Sequence, residues 1–242
     1  MVADIVSKAT KTLIFEEPFY GLFLVGLNKV YRKDIKTAGV SKHGIGVQLA
    51  INPDFIEGLN LKERVGLLKH ELLHISFGHL LVRDLYQNKK LFNIAADLEI
   101  NQYIDDDYLP EGGLKLESFP ELNLPVKAGT KVYYDLLEQA QEDGTSETLE
   151  SLLDQMDGDS QYCHSTWDEL DDLSDADKKL IQKQIEHQIK EIADQTEKRC
   201  GSIPGELAGL ISRLRNVEPP KFDWKGYLKR FVGNSSIVYT KK

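Results

Sequence analysis

The amino-acid sequence predicts an α+β protein, mostly helical, with a small antiparallel sheet. Three observations carry the prediction. Apolar residues recur at helical spacing through most of the chain, one stretch around residues 37–51 switches to β-rich residues about a glycine-containing turn, and the run His70-Glu71-Leu72-Leu73-His74 lies inside a segment that reads independently as a helix. With 242 residues and 41% hydrophobic content, the chain can bury a sizeable core in one large or two small domains.

Residues 1–33 carry apolar positions at helical spacing interrupted by Glu16-Glu17-Pro18, which predicts two helices meeting at Pro18, the second running from about Phe19 to Tyr31. Thr37–Val40 and Ile45–Ile51, separated by Ser41-Lys42-His43-Gly44, predict an antiparallel strand pair that Asn52-Pro53 stops. Asn60 followed three residues later by Glu63 has the form of a reciprocal helix cap, so a long helix is expected from Leu61 to about Leu81. A further helix fits Leu91–Ile104, followed by a Pro/Gly-rich loop over 109–125 and short helices at 130–142 and 146–156. A long polar helix fits Asp175–Arg199, another Ile203–Leu214, and a last short one Phe222–Phe231 after Pro219-Pro220. The expected organisation is a core over residues 1–140, with an acidic segment and helical C-terminal elaboration over 141–242 packed on it.

The net charge of −9 excludes a surface that is basic throughout, and nucleic acid is not an expected partner. The acid is concentrated: Gln141 to Asp177 holds thirteen carboxylates and no Lys or Arg, leaving +4 for the rest of the chain. Lys198 to Lys242 is locally +7, so this basic end can neutralise the acidic segment, be solvated, or contact a partner, and the acidic segment is itself a candidate protein-binding surface. Two cysteines 37 residues apart form no disulfide framework. The longest apolar run, Phe19–Leu27, has nine residues, about half of what a bilayer requires, and the start lacks a basic leader, so a cytoplasmic protein without a membrane span is expected.

The strongest chemical signal is His70-Glu71-x-x-His74. On a helix, residues four apart lie about 40° apart on one face, so both imidazoles can reach one ion while Glu71 stands beside it. This is the pattern of zinc-dependent hydrolysis, in which Zn²⁺ acidifies water and Glu71, as general base, takes its proton during attack on a carbonyl. The composition yields such a match by chance in roughly 1 of 100 shuffled chains. Three protein ligands are usual. The metzincin extension would need Gly at 77 and His at 80, where this chain has Phe77 and Leu80. His79 lies about 180° from His70 on a continuous helix, so it reaches the ion only if the helix ends near Gly78 and otherwise plays a helix-end or supporting role. On the next helix Asp97 shares a face with Asn93, Ile100 and Asn101, within about 60°, whereas Glu99 points about 200° away. Asp97 is therefore the expected third ligand, Glu99 the alternative, and Asn93 and Asn101 fit orienting roles.

These motifs, Thr37-Ala-Gly-Val40, Ile51-Asn-Pro-Asp-Phe55, His70-Glu-Leu-Leu-His74 with Gly78-His79, and Asn93-Ile-Ala-Ala-Asp97 with Ile100-Asn101, resemble a metallopeptidase-like domain of bacterial and phage proteins that often precedes a von Willebrand factor A-like domain. His164 with Trp167, and Pro219 to Phe231, resemble its later motifs. The resemblance implies a zincin-like fold and a zinc peptidase acting on polypeptide, and the sequence ends at Lys242 without room for the A-like domain. In such folds an edge strand above the metal-binding helix pairs with extended substrate, and Gly46–Ile51 is the local candidate, equally readable as a core strand. Cys163 and His164 are weaker candidates, either as a nucleophilic pair or as loop ligands swinging over the zinc. The alternative to an enzyme is a catalytically silent, metal-stabilised interaction module.

Overall fold

A reciprocal cap starts the helix around which the molecule is organised. In the computed structural model, which describes residues 2–159 and 166–216, with side chains of 157–159 set aside, Asn60 Oδ1 accepts the Glu63 backbone N–H at 3.1 Å and Glu63 Oε2 accepts that of Asn60 at 2.8 Å. From that cap α4 (Leu61–Phe77) runs through the centre, its residues from Val65 to Ser76 buried without interruption. Burial all round, instead of along one stripe, marks a helix enclosed by neighbours. The elements that precede it in the chain are α1 (Val2–Glu16) and α2 (Pro18–Gly26), β1 (Asn28–Tyr31), β2 (Ala38–His43), β3 (Gly46–Ile51) and the short α3 (Pro53–Gly58). After α4 come α5 (His79–Val82), α6 (Lys89–Ile100), α7 (Thr130–Asp143), α8 (Glu147–Asp159), α9 (Asp168–Asp171), α10 (Asp175–Cys200) and α11 (Ala208–Asn216).

The α+β class holds, and the sheet has one strand more than expected. Its order is β1-β3-β2, with β2 antiparallel to β3 through pairs such as Val40 with Leu49, and β1 parallel to β3 through Lys29 with Leu49. The sheet is thus mixed. The helix expected to reach Tyr31 ends at Gly26, and Lys29 Nζ turns back to bond the carbonyl of Leu27 at 2.9 Å. Four residues, Asn-Lys-Val-Tyr, are too few to show a helical or a strand period; the partner that makes residues 28–31 a strand lies twenty residues further along. The same topology corrects the expectation for Gly46–Ile51: paired on both sides, it is the central strand and has no free edge for substrate, while β2 is an edge strand. Gly44, at φ 57°, supplies the left-handed residue that closes the expected turn between β2 and β3.

The helix expected to continue to Leu81 breaks at Gly78. With φ 76° and ψ 17°, Gly78 takes the left-handed conformation and sends its N–H to the carbonyls of His74 and Ile75, after which α5 starts in a new direction. α6 starts two residues earlier than expected, because Asn88 accepts the N–H groups of Lys90 and Leu91, and gives way to a tighter turn at Asn101–Tyr103. α10 buries Ile181, Ile185, Ile189 and Ala193 at four-residue steps against α2, α4 and β3. Asp168, Glu169 and Asp171 of the acidic segment pair with Arg83, Lys89 and Arg32, so core cations neutralise part of that segment. The last predicted helix, Phe222–Phe231, lies outside the described residues. Among the described residues no helix is long and apolar enough to cross a membrane.

At Gly66 the turn Asp106–Tyr108 lies directly on α4: a Cβ there would meet the Tyr108 carbonyl oxygen at 1.8 Å. Gly66→Ala is expected to destabilise the protein by about 2 kcal/mol through forced separation of the two backbones, read as a lowered midpoint in urea unfolding followed by circular dichroism.

Candidate metal centre

The four-residue spacing along α4 brings His70 and His74 side by side, with their rings 4.5 Å apart at centroid. Their Nε2 atoms lie 3.0 Å from each other. α6 crosses beside α4 and delivers Asp97, whose Oδ1 is 3.1 Å from His74 Nε2 and 3.6 Å from His70 Nε2. Among the described residues these three form a group of ligand-type side chains whose donor atoms all fall within 4.8 Å, and all three residues are buried. Glu99, the alternative third ligand, is not in that group. It lies across the helix, where it accepts the backbone N–H of Thr130 at 2.8 Å and its hydroxyl as well. Burial pushes the Glu99 carboxyl up, but hydrogen bonds from His79 and Thr130 outweigh it, leaving the group below its ordinary value.

Both imidazoles are held from behind. Asn101 Nδ2 donates to the Leu114 carbonyl at 2.9 Å, which fixes the amide so that its Oδ1 faces His70 Nδ1 at 2.8 Å. That oxygen can only accept, so His70 carries its proton on Nδ1 and directs the Nε2 lone pair into the site. The orienting role expected of Asn101 is thereby given a geometry; Asn93 is also buried, but its Oδ1 makes no hydrogen bond among the described residues. His79, swung round by the Gly78 turn, places Nδ1 2.9 Å from His74 Nδ1. Glu71, between the two histidines on the same helix, is almost wholly enclosed at 1% exposure.

The donor set suits a divalent ion. Tetrahedral coordination at about 2.0–2.2 Å separates ligand atoms by about 3.3 Å, and the observed separations of 3.0, 3.1 and 3.6 Å bracket that value. Two imidazole nitrogens and a carboxylate oxygen are the donor types that hold zinc and similar divalent ions.

His70, Asp97 and Asn101 open onto a cleft of about 470 Å³ whose other walls include Phe55, Leu67, Leu109 and Leu114. Behind His74 the site is closed by Trp167, fully buried, its ring 4.8 Å from the imidazole in an edge-to-face arrangement at 82°. Thr166 ties this segment to the edge strand by donating its hydroxyl to the Val40 carbonyl at 2.7 Å. Trp167 and Thr130 escaped sequence reasoning as parts of the centre, since each is more than fifty residues from His74 and neither belongs to a ligand-spacing pattern. Cys163 and His164 lie outside the described residues.

Residues 4–238 match the model of a family described as "putative metallopeptidase domain". A protein of Thermotoga maritima strain MSB8, named as an uncharacterized protein, is 27% identical over 243 residues, covering 96% of this chain and 59% of its own length. The chain thus spans about three fifths of that relative. No solved structure matches it.

Trp167→Ala removes the largest fully buried side chain from behind His74, and a loss of about 3–5 kcal/mol in unfolding free energy is expected, measured by denaturant titration with far-ultraviolet circular dichroism.

Proposed function

We propose that this chain, which belongs to the putative metallopeptidase domain family, is a zinc-dependent peptidase in which His70, His74 and Asp97 hold the ion and Glu71 is the general base. The observation that carries this reading is the convergence of the two Nε2 atoms of α4, the helix that also bears Glu71, with one carboxylate oxygen from α6. A bound zinc ion supplies a Lewis acid that polarises the peptide carbonyl and acidifies water. The chain's own groups perform the remaining steps. Asn101 and Leu114 hold His70 with its Nε2 lone pair available. The Glu71 carboxylate takes one proton from the attacking water as the carbon–oxygen bond forms, then gives it to the amine nitrogen as the carbon–nitrogen bond breaks.

The cleft supports a polypeptide substrate and adds a preference. Beside His70 and Asp97 its walls include Lys36, Thr37, Glu111 and Gln155 as well as Phe55, Leu67, Leu109, Pro110 and Leu114, and this apolar part suits a large aliphatic or aromatic side chain next to the scissile bond. Phe55, half-buried, can be shortened with least harm to the core.

Glu71→Gln is expected to retain zinc in metal analysis of the purified protein while peptide hydrolysis falls by at least 100-fold. Wild-type protein that binds zinc but cleaves no member of a broad peptide library would point instead to a metal-stabilised interaction module. Phe55→Ala is expected to lower kcat/KM about tenfold for substrates with Leu or Phe at the preferred position, with little change for Ala there.

A further inference from the structure

We propose that His79, held by Glu99 and Thr130, is a positioning residue that sets the tautomer of His74 and thereby the affinity of the metal centre; this rests on the reading of His70, His74 and Asp97 as ligands. The direction of every proton follows from the partners. Glu99 accepts both the backbone N–H and the hydroxyl hydrogen of Thr130. Having given up its hydrogen, Thr130 Oγ1 offers only lone pairs, and it lies 2.9 Å from His79 Nε2, with Glu99 Oε2 at 3.4 Å from the same nitrogen. Two acceptors facing one ring nitrogen place the His79 proton on Nε2 and leave Nδ1 bare. The bare nitrogen stands 2.9 Å from His74 Nδ1 and takes that ring's hydrogen, so His74 Nε2 is left with its lone pair 3.1 Å from Asp97 Oδ1.

With the opposite tautomer, an N–H on His74 Nε2 would point into the donor cluster and remove one of its three ligands. Burial enforces the choice: His74 is 0% and His79 3% exposed, so bulk water cannot substitute for the missing acceptor. The chain reaches this arrangement only because α4 stops at Gly78. His79 follows one left-handed residue at φ 76°, and the turn carries its ring back beneath His74 instead of to the far side of a continued helix. A second polar link, from Asn101 to the Leu114 carbonyl, holds His70 in the matching state. The two ligand histidines are thus each oriented through Nδ1, but only the His74 link ends on a carboxylate, which raises the basicity of the nitrogen facing the ion.

The test is zinc affinity of the full chain, measured by competition with a chromophoric chelator, together with the visible spectrum of the Co²⁺-substituted protein. His79→Phe removes the acceptor and is expected to weaken zinc binding about 10–100-fold and shift the Co²⁺ bands. His79→Gln keeps an oxygen that can accept from His74 and is expected to recover most of the affinity. Glu99→Gln, which leaves the ring of His79 in place, is expected to weaken binding by a smaller factor and serves if His79→Phe does not fold. Wild-type affinity and spectrum in folded His79→Phe, or in Glu99→Gln where the former is unfolded, overturn the proposal and leave the metal-site reading intact. Wild-type protein that takes up neither zinc nor Co²⁺ overturns both.

Discussion

Two imidazole nitrogens and a carboxylate oxygen pressed together in the interior are the constraint on which the rest of this structure depends. His70 Nε2, His74 Nε2 and Asp97 Oδ1 lie 3.0 to 3.6 Å apart in surroundings that water hardly reaches. Such a polar cluster is held in the interior only where its members are kept in fixed positions relative to one another, and it persists only if the backbone around it is firmly determined. The reciprocal cap at Asn60 and Glu63 anchors one end of α4, and the left-handed Gly78 ends the other. Between them, twelve consecutive buried residues leave α4 no freedom to rotate.

The elements that surround α4 serve the same cluster in different ways. α6 carries Asp97 on one face and Glu99 on the other, and Asn101 caps its end, so one helix and its cap supply both a group in the cluster and two of the groups behind it. The loop containing Leu114 both walls the cleft and anchors the Asn101 amide, which couples the shape of the cleft to the orientation of His70. On the opposite side, Trp167 lies against His74, and its segment is tied down by Thr166 on Val40 and by Arg83 between Asp168 and Asp171. The side chains of Arg83 and Asp171 are both buried, and each has a second partner, Asp168 for Arg83 and Lys89 for Asp171, so the pair belongs to a four-membered charge network. The acidic segment is therefore anchored by particular core cations at the point where it passes the site.

Much of this was legible in the residues. The capping pair, the proline between α1 and α2, the turn at Gly44 and the four-residue histidine spacing are local signals, each decided by chemistry within a few residues. The helical face that joined Asp97 to Asn101 is equally local, because a 100° step relates them whatever surrounds the helix. Residues 28–31, Asn-Lys-Val-Tyr, are too few and too polar to show either a helical or a strand period, and pairing with β3 decides their state. Gly78 was visible as a glycine, yet whether it would break the helix depended on whether the left-handed turn was repaid by tertiary contacts of His79.

Sequence alone determined which ligand-type groups each helix face presents: two imidazoles four residues apart with a glutamate between them on one helix, and a carboxylate on the inward face of the next. Tertiary structure alone decided what stands behind them. Glu99 was recruited to α7 and His79 instead of the cluster, Asn101 acquired its direction from a carbonyl thirteen residues away, and Trp167 arrived from a segment more than ninety residues distant. The physical reason is the range of the interactions. Helical periodicity and capping act over one or two turns, whereas a buried hydrogen bond or ring contact needs a partner whose position depends on how the whole core packs.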